Sequence, residues 1–256
     1  MKNMYGIFII GTAGSGKSML TASLTQWLSR KGENVITVNL DPGVIRLPYN
    51  PDVDVRAYIS IEELMKDYGL GPNGALLLAS DLIVDHAYEL NQDIEELNPT
   101  YVILDTPGQM ELFAFRVGGP LLAKELKLDQ KMVLYLFDAP FCSNPFNYVS
   151  NIFLSAAVFL RFMLPQLNVL SKVDLVPEKT VKEILEWSSV PSALQAAFRN
   201  QPEENIYLLT RDLFEAISRL RLDFSLIACS AKTYGNFVGL HASIQRILTR
   251  GEEETY

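Results

Sequence analysis

The residues with the most specific chemistry lie in GTAGSGKS, from Gly11 to Ser18. Their spacing matches GxxxxGK[ST], a pattern in which glycines let backbone N–H groups curl around phosphate oxygens. Lys17 would reach the β- and γ-phosphates of a nucleotide, and the Ser18 hydroxyl would ligate Mg²⁺ at the start of a helix. An apolar run precedes the segment and a helix-length run follows it, which makes a chance glycine-rich turn a poor alternative. The predicted phosphate-binding residues are Gly11, Thr12, Ala13, Gly14, Ser15, Gly16, Lys17, Ser18 and Met19.

A second group of candidate phosphate and metal residues lies in ILDTPGQ, with Asp105 at the end of an apolar run. A carboxylate in that position can hold a Mg²⁺-bound water, and the Gly108 amide can contact a γ-phosphate. The segment would then respond to the presence or absence of that phosphate. Asp41 ends another apolar run, VNLDPG, and we expect it beside the γ-phosphate. The predicted metal residues are therefore Ser18, Asp41 and Asp105.

The segment LNVLSKVDL predicts recognition of the base, because it carries Ser171, Lys172 and Asp174 where GTPases carry NKxD. An ionised carboxylate accepts two hydrogen bonds from guanine, whereas adenine presents a lone pair to it. Lys172 would lay its aliphatic stem over the base. Serine replaces asparagine at position 171, and we expect its shorter side chain to lose a tether to the phosphate loop or to the base. The alternative is an ordinary surface turn after a strand.

A second base-contacting segment is SAK, which consists of Ser230, Ala231 and Lys232. We expect it to supply a backbone N–H to O6 of guanine.

The elements that must position these residues follow a regular order along the chain. Short runs that are apolar on both faces alternate with helix-length segments, which is typical of a parallel sheet covered by helices. We predict an α/β fold of the three-layer P-loop NTPase type, with a mostly or wholly parallel central sheet and helical insertions. The predicted strands are 5–10, 35–40, 100–105, 131–138, 167–172 and 224–230. The predicted helices are 17–31, 61–68, 74–97, 109–127, 147–163, 178–188, 203–221 and 237–250.

Composition sets further limits on function. The chain has 256 residues, 48% of them hydrophobic, and a formal net charge of −8, which disfavours nucleic acid as a direct partner. Only two cysteines occur, Cys142 and Cys229, and we expect both to be buried apolar residues of a protein in a reducing compartment. MKNMYGIFII has no cleavage site for a secretory signal, and no apolar run is long enough to span a membrane. These features predict a cytoplasmic protein that is not embedded in a membrane.

The predicted organisation is a single nucleotide-binding domain over residues 1–250, followed by a solvated tail at 251–256. Two segments are longer than a simple crossover needs, namely insertions 42–99 and 175–223. Insertions of this kind give a common fold its particular function.

The first insertion contains Gly71, Pro72 and Asn73. Together with GTAGSGKS, NLDPG, DTPGQME, SKVD and SAK, in that order over the whole chain, this triplet resembles the GPN-loop GTPases. That family is cytosolic and belongs to the SIMIBI class, with the signal-recognition-particle GTPases. The resemblance is to an archaeal-like homodimer, and it implies GTP and GDP as ligands with Mg²⁺ and a loop that enters the partner's site. Asn73 would then offer its amide across the dimer interface, while Gly71 and Pro72 shape the loop.

The resemblance also implies catalytic roles, because the family pattern GQxE falls on Gln109 and Glu111. Gln109, Glu111 and Asp41 are all candidates for the group that orients the attacking water. Asp105 and Asn73 complete the set of predicted catalytic residues. An amide carries no net charge, so we expect slow intrinsic turnover. Eukaryotic relatives are implicated in RNA polymerase assembly, which implies client polypeptides as further partners.

Three alternatives stay open from the sequence alone. The main role is either GTP hydrolysis itself or nucleotide-controlled binding of client polypeptides. The second role extends the GTPase hypothesis and does not compete with it. A P-loop kinase would prefer ATP and would need an acceptor pocket. Finally, Asn73 is also a suitable residue to cap a following helix.

Overall fold

Seven parallel strands form one sheet in the computed structural model, which describes residues 3–199 and 224–253. The strands are β1 (Tyr5–Gly11), β2 (Val35–Asn39), β3 (Val53–Asp54), β4 (Tyr101–Asp105), β5 (Gln130–Asp138), β6 (Gln166–Ser171) and β7 (Leu226–Ala228). Their order across the sheet is β3-β2-β4-β1-β5-β6-β7, and every pair is parallel. The predicted α/β fold with a parallel central sheet is confirmed.

The central strands are buried on both faces because their side chains alternate between two apolar cores. In β1, Ile7 and Ile9 face one core, whereas Phe8 and Ile10 face the other, and all four are fully buried. Helices therefore cover both faces of the sheet. Within residues 3–199 and 224–253 these are α1 (Lys17–Arg30), α2 (Ile61–Tyr68), α3 (Pro72–Leu82), α4 (Ala87–Leu97), α5 (Met110–Ala114), α6 (Gly118–Glu125), α7 (Ala139–Cys142), α8 (Pro145–Phe162), α9 (Glu178–Ser189), α10 (Pro191–Arg199) and α11 (Phe237–Glu253).

Two helices, α1 and α11, supply one core through their apolar stripes, which are Leu20, Leu24 and Leu28 on α1 and Phe237, Leu240, Ile244 and Leu248 on α11. The other core takes side chains from every helix from α3 to α10. None of the helices within the described ranges combines the length and the apolar character needed to cross a bilayer.

The strand predictions lie within two residues of the observed ends, but several helix predictions are wrong in detail. The predicted helix 74–97 is two helices separated by a 3-10 turn at Ile83–His86. Ile83, Val84 and Asp85 have low helix propensity, which favours a break there. The predicted helix 109–127 also divides, at residues 115–117. The predicted helix 203–221 lies outside the described residues.

Elements that carry little sequence signal were missed. They are the two-residue edge strand β3, the single-turn helix α7, and α10, which lies in the second predicted insertion.

The carboxyl ends of β1, β2, β4, β5 and β6 meet at one edge of the sheet. The chain passes from β1 to β2 on one side of β1, and later from β4 to β5 on its other side, which makes a topological switch point at β1. Such a switch point is where ligands bind in open α/β sheets. The edge brings together Gly11, Asn39, Asp105, Asp138 and Ser171.

Candidate nucleotide-binding site

The phosphate loop connects the end of β1 to the start of α1, as its pattern predicted. Gly14 and Gly16 adopt positive φ angles of 75° and 97°, a conformation that side chains with a Cβ rarely tolerate. A Cβ on Gly11 would lie 2.7 Å from Ser15 Oγ, so the loop also needs glycine at its first position. Its backbone therefore curls tightly enough to present N–H groups to an anion.

Lys17 is buried at the base of this loop, where its Nζ donates to three carbonyl oxygens. The acceptors are Gly11 O at 2.9 Å, Thr12 O at 3.2 Å and Gly108 O at 3.0 Å. Burial lowers the pKa of Lys17 to about 8, although the carboxylates of Asp105, Asp41 and Glu111 act in the opposite direction. A buried ammonium that is held only by neutral carbonyls is well suited to bind a phosphate.

Asp105 stands at the end of β4 and is 2% exposed. Its Oδ2 accepts a hydrogen bond from the hydroxyl of Tyr49 at 2.9 Å. Its Oδ1 is buried without a hydrogen-bond partner among the described residues. Burial raises the pKa of Asp105 to about 6, and Ser18, Tyr49 and Lys17 act against that rise. A buried carboxylate oxygen without a partner fits a water bound to a metal ion.

Asp41 lies just after β2, and backbone amides hold both of its carboxylate oxygens. Oδ1 accepts from Gly43 N at 2.9 Å, and Oδ2 accepts from Gly108 N at 3.1 Å. Asn39 supports it from the strand, because Asp41 N donates to Asn39 Oδ1 at 3.0 Å. Asp41 therefore connects the segment after β2 to the segment after β4.

These residues surround a cleft of about 270 Å³ at the phosphate loop, lined by Gly14, Gly16, Lys17, Ser18, Met19, Asp41, Val44, Leu47, Asp105, Thr106 and Gly108. A second cleft of about 420 Å³ is lined by Ser15, Gly16, Met19, Leu20, Ser171, Lys172, Asp174, Leu175, Cys229, Ala231 and Lys232. The two clefts share Gly16 and Met19, so they adjoin at the start of α1. Of the predicted phosphate-loop residues, Gly11, Thr12 and Ala13 line neither cleft.

The second cleft brings together the two segments that were predicted to recognise a base. Asp174 Oδ1 accepts from Ser230 Oγ at 2.7 Å, and Ser230 Oγ accepts from Thr233 N at 3.1 Å. Lys172 Nζ pairs with Asp138 Oδ1 at 3.0 Å. Its aliphatic stem passes the phosphate loop, since a Cβ on Gly16 would lie 3.6 Å from Lys172 Cε. The carboxylate of Asp174 is thus held in place by a neighbouring hydroxyl.

The expectation that Ser171 loses its tether to the phosphate loop is wrong. Its hydroxyl lies 2.8 Å from Ser15 O and 3.1 Å from Phe137 O, and both contacts are buried. The backbone of the loop comes close enough to β6 for a short hydroxyl to reach it. Serine therefore connects β6 to the phosphate loop as the longer amide was expected to.

The Gly71–Asn73 segment differs from its prediction, because α3 begins at Pro72 and not at residue 74. Proline suits the first helical position, where no backbone N–H is needed. Gly71 occupies the capping position without a side-chain hydrogen bond, so Asn73 is not the helix cap. Gly71, Pro72 and Asn73 are all exposed and line neither nucleotide cleft of the same chain.

Gln109 and Glu111 lie at the start of α5, exposed and outside the residues that line the two clefts. Glu111 is still near enough for its charge to act on Lys17.

Sequence reasoning missed Tyr49, Asn39 and Asp138. Asn39 and Asp138 end β2 and β5 at the same edge as the motif residues, so a polar residue ending an apolar strand was a usable signal. Tyr49 lies in a loop and carried no such signal. Both cysteines are buried, as predicted, although Cys229 also lines the second cleft.

Comparisons with known proteins agree with this geometry. A family model described as "Conserved hypothetical ATP binding protein" matches residues 9–250. GPN-loop GTPase 3 of Kluyveromyces lactis is 31% identical over 225 residues, which cover 87% of this chain and 82% of that protein. GPN-loop GTPase 2 of Schizosaccharomyces pombe is 34% identical over 256 residues, covering 94% of this chain and 77% of that protein.

A solved structure gives the same result. A GTPase from Pyrococcus abyssi, determined in its apo form, matches with a TM-score of 0.83 and 31% identity, covering 96% of this chain and 98% of that one. The family-model match over residues 9–250 includes the phosphate loop, the Gly-Pro-Asn segment and the residues of the base cleft. The chain therefore belongs to the GPN-loop GTPase family, as the order of its motifs predicted.

Proposed function

We propose that this protein binds guanine nucleotide with Mg²⁺ and hydrolyses GTP to GDP and phosphate. The observation that carries the proposal is the pair of adjoining clefts, with Lys17 in one and Asp174 in the other. One nucleotide would occupy both clefts, with its phosphates beside Lys17 and its base beside Asp174. Membership of a family of named GTPases supports the same activity.

The base cleft favours guanine over adenine, although the family model's description names ATP. Asp174 presents an acceptor-only carboxylate, which can take two N–H donors from guanine. Ser230 holds one of its oxygens at 2.7 Å and so fixes its direction. Adenine would place a lone pair against this carboxylate. A P-loop kinase that prefers ATP is therefore the weaker alternative.

The phosphate cleft fits Mg²⁺, which usually binds one or two carboxylates together with substrate phosphates and several waters. Ser18 would ligate the ion directly, and Asp105 and Asp41 would hold its waters. Bound Mg²⁺ would neutralise charge that develops on the phosphates. Lys17 acts on the same charge from the base of the cleft.

Hydrolysis also needs a group that orients the attacking water. Asp41 lines the phosphate cleft, and it is the only one of the three candidate groups that does so. Gln109 and Glu111 follow Gly108, whose backbone N–H donates to Asp41 Oδ2 at 3.1 Å. We propose Asp41 as the water-orienting carboxylate, and Gln109 and Glu111 as groups that approach when a γ-phosphate is bound at Gly108.

The site is completed by a second copy of the chain, in our proposal. Asn73 is exposed at the start of α3 and does not line its own chain's clefts. The helix behind it is firmly seated, because Ala75 and Ala79 are buried. An exposed amide on a seated helix can reach a partner's γ-phosphate with little loss of conformational freedom. The protein would work as a homodimer with slow intrinsic turnover.

A mixing experiment tests the transfer of Asn73 between chains. Lys17→Ala removes phosphate binding, and Asn73→Ala removes the amide, so each variant alone should turn over GTP poorly. A mixed dimer has one site with an intact Lys17 that is completed by the partner's Asn73. An equal mixture should recover about a quarter of wild-type turnover, because half of the dimers are mixed and each has one complete site.

The matched control is Gln92→Ala, which removes an exposed amide on α4 outside both clefts. This variant should keep wild-type turnover. A mixture that shows only the average of its two parent variants would remove the role of Asn73 in the partner's site. Wild-type protein that runs as a single chain with a GTP analogue bound would remove the dimer itself.

A second, finer proposal concerns client polypeptides. The end of α8 exposes Leu160 and Met163, which are 61% and 70% exposed. Arg161 connects this end of α8 to the segment before α6 by donating to Arg116 O at 3.0 Å. Val117, the residue after Arg116, is 71% exposed. This apolar surface favours a role in assembly of protein complexes in the cytoplasm. A hydrophobic peptide should then bind differently with GDP and with a non-hydrolysable GTP analogue, and equal affinities would exclude the idea.

A further inference from the structure

The loop between β2 and β3 delivers a tyrosine hydroxyl into the phosphate cleft. Tyr49 donates to Asp105 Oδ2 at 2.9 Å, across 56 residues of sequence. The phenol is half-buried, and its O–H is the donor in this bond because an ionised carboxylate only accepts hydrogen bonds.

The loop that carries Tyr49 is anchored at both ends. At the first end Asn39 holds Asp41, whose carboxylate accepts from Gly43 N at 2.9 Å. At the second end Asp52 Oδ2 accepts from Thr37 N at 2.7 Å and from Thr37 Oγ1 at 2.9 Å. Pro48 and Pro51 flank the tyrosine and restrict the backbone on either side of it.

Farther along the chain, Arg56 also braces the loop. It makes a bidentate pair with Asp54 and donates from Nη1 to Val44 O at 2.9 Å. Residues 41–56 thus form a braced segment, and the position of the Tyr49 hydroxyl does not depend on one contact.

The two oxygens of Asp105 have different surroundings as a result. Oδ2 is occupied by Tyr49, whereas Oδ1 is buried without a hydrogen-bond partner among the described residues. The bond from Tyr49 restricts rotation of the carboxylate and so holds the plane of the group, with one oxygen on Tyr49 and the other directed elsewhere. The carboxylate is held with Oδ1 in the cleft that Ser18 also lines, and the Ser18 hydroxyl lies near enough to Asp105 to act against the rise in its pKa.

We propose that Tyr49 is a positioning residue of the Mg²⁺ site, which orients Asp105 so that Oδ1 accepts from a metal-bound water. This inference rests on the proposed function, because it assumes a Mg²⁺-nucleotide in this cleft. Hydrogen-bonded partners of metal ligands commonly change metal affinity by about 10- to 100-fold when they are removed. Tyr49 also connects Asp105 to the loop that begins at Asp41.

The test is Tyr49→Phe, which removes the hydroxyl and keeps the ring. Dissociation of fluorescent GDP is followed at a series of free Mg²⁺ concentrations and in excess EDTA. In EDTA the variant and wild type should release GDP at the same rate. With Mg²⁺ present, the variant should need about 10-fold more metal for half-maximal slowing of release.

The matched control is Tyr58→Phe, because Tyr58 also donates to a carboxylate, that of Asp93, but away from both clefts. Tyr58→Phe should leave the Mg²⁺ dependence at the wild-type value. If Tyr49→Phe also leaves it there, or speeds release equally with and without Mg²⁺, the positioning role is wrong. Wild-type protein that retains no GDP would instead remove the proposed function, and with it this inference.

Discussion

At the scale of single residues, Ser171 shows how a departure from a motif is compensated by geometry. Its hydroxyl has one proton to donate and two buried carbonyl acceptors, at Ser15 and Phe137. Nothing in the sequence shows that the phosphate loop passes within 3 Å of the end of β6. The role of the motif position was therefore predictable from its spacing, but the length of side chain that it tolerates was not.

The variant Ser171→Ala should weaken both the fold and nucleotide binding. Removing the hydroxyl leaves two buried carbonyls with less hydrogen bonding, at a cost of about 1 kcal/mol in the free energy of unfolding. GDP affinity should fall by roughly 5-fold, because the phosphate loop loses its connection to the base segment. Urea unfolding and GDP titration measure the two effects. Ser189→Ala, at an exposed helix position, is the control, and equal effects from both variants would contradict the assigned role.

Asp105 gives a pH dependence that can be separated from nucleotide binding. Burial raises its pKa from 3.8 to about 6 in the folded protein. The folded state therefore binds more protons than the unfolded state between these values, and the free energy of unfolding falls as the pH rises through this window. The stabilising contribution is complete below about pH 4 and is lost above about pH 6.

The variant Asp105→Asn cannot titrate and should lack this contribution to the pH profile. Measured without nucleotide and in EDTA, wild type should lose about 2–3 kcal/mol relative to the variant between pH 4 and pH 7. Denaturant unfolding at several pH values provides the measurement. The exposed Asp85→Asn is the control and should follow the wild-type profile. Parallel profiles for wild type and Asp105→Asn would show that Asp105 ionises as freely in the folded protein as in the unfolded chain.

Tyr49 marks the limit of residue-level prediction. Motif residues can be found because their neighbours in sequence are also their neighbours in the site. The partner of Tyr49 is 56 positions away, and a tyrosine in a proline-containing loop has no chemistry that distinguishes it from any other. Only the folded loop, braced at Asp41 and Asp52, shows which tyrosine reaches the metal-site carboxylate.

At the scale of elements, the helix that presents Asn73 is held in place by a close contact with α6. A Cβ on Gly118 would lie 2.3 Å from Ser80 O, so the two helices touch backbone to backbone. Beside this contact Arg116 Nε donates to Asp81 Oδ1 at 2.7 Å. The pair of contacts explains why α5 and α6 are separate helices, because the chain must turn between them to bring Gly118 against α3.

The variant Gly118→Ala should separate these two helices. Its methyl group has no flexible side chain to displace, because the nearest atoms belong to the backbone of Ser80 and Asp81. We expect a loss of about 1–3 kcal/mol in the free energy of unfolding, as for other overpacked sites. Chemical denaturation measures the change.

Gly74→Ala is the matched control, because Gly74 also lies in a helix but a Cβ there would make only ordinary contacts of 3.5 Å with Leu70. That variant should gain up to about 1 kcal/mol from helix propensity. A gain at both positions would mean that α3 and α6 are not in close contact.

The same contact explains which elements the sequence could predict. Strands β1, β4, β5 and β6 are apolar on both faces, so their runs were visible without knowledge of the fold. The boundary between α5 and α6 depends on a backbone contact with a helix about 38 residues earlier in the chain, which no local pattern records. β3 is only two residues long and is defined by its pairing with β2 at Val38 and Asn39.

At the scale of the whole molecule, the sheet edge joins segments from five strands into one site. Lys17, Asp41, Asp105, Asp174 and Ser230 come from segments that are distant in sequence, and each lies at or after the end of a different strand. A ligand that touches all of them can bind only the folded chain. Ligand binding must therefore stabilise the fold as a whole, by mass action.

GDP with Mg²⁺ at 100 times its dissociation constant should raise the free energy of unfolding by about 2.7 kcal/mol. In a domain of this size that corresponds to a rise of roughly 5–10 °C in Tm, which a thermal melt measures directly. ADP at the same concentration should give no shift, because Asp174 cannot pair with adenine. Asp174→Asn should lose the GDP-dependent shift, since the neutral amide no longer accepts two strong hydrogen bonds, while its Tm without nucleotide stays near wild type. A shift with ADP that equals the shift with GDP would place base recognition outside the cleft of Asp174 and Ser230, and would restore the kinase alternative.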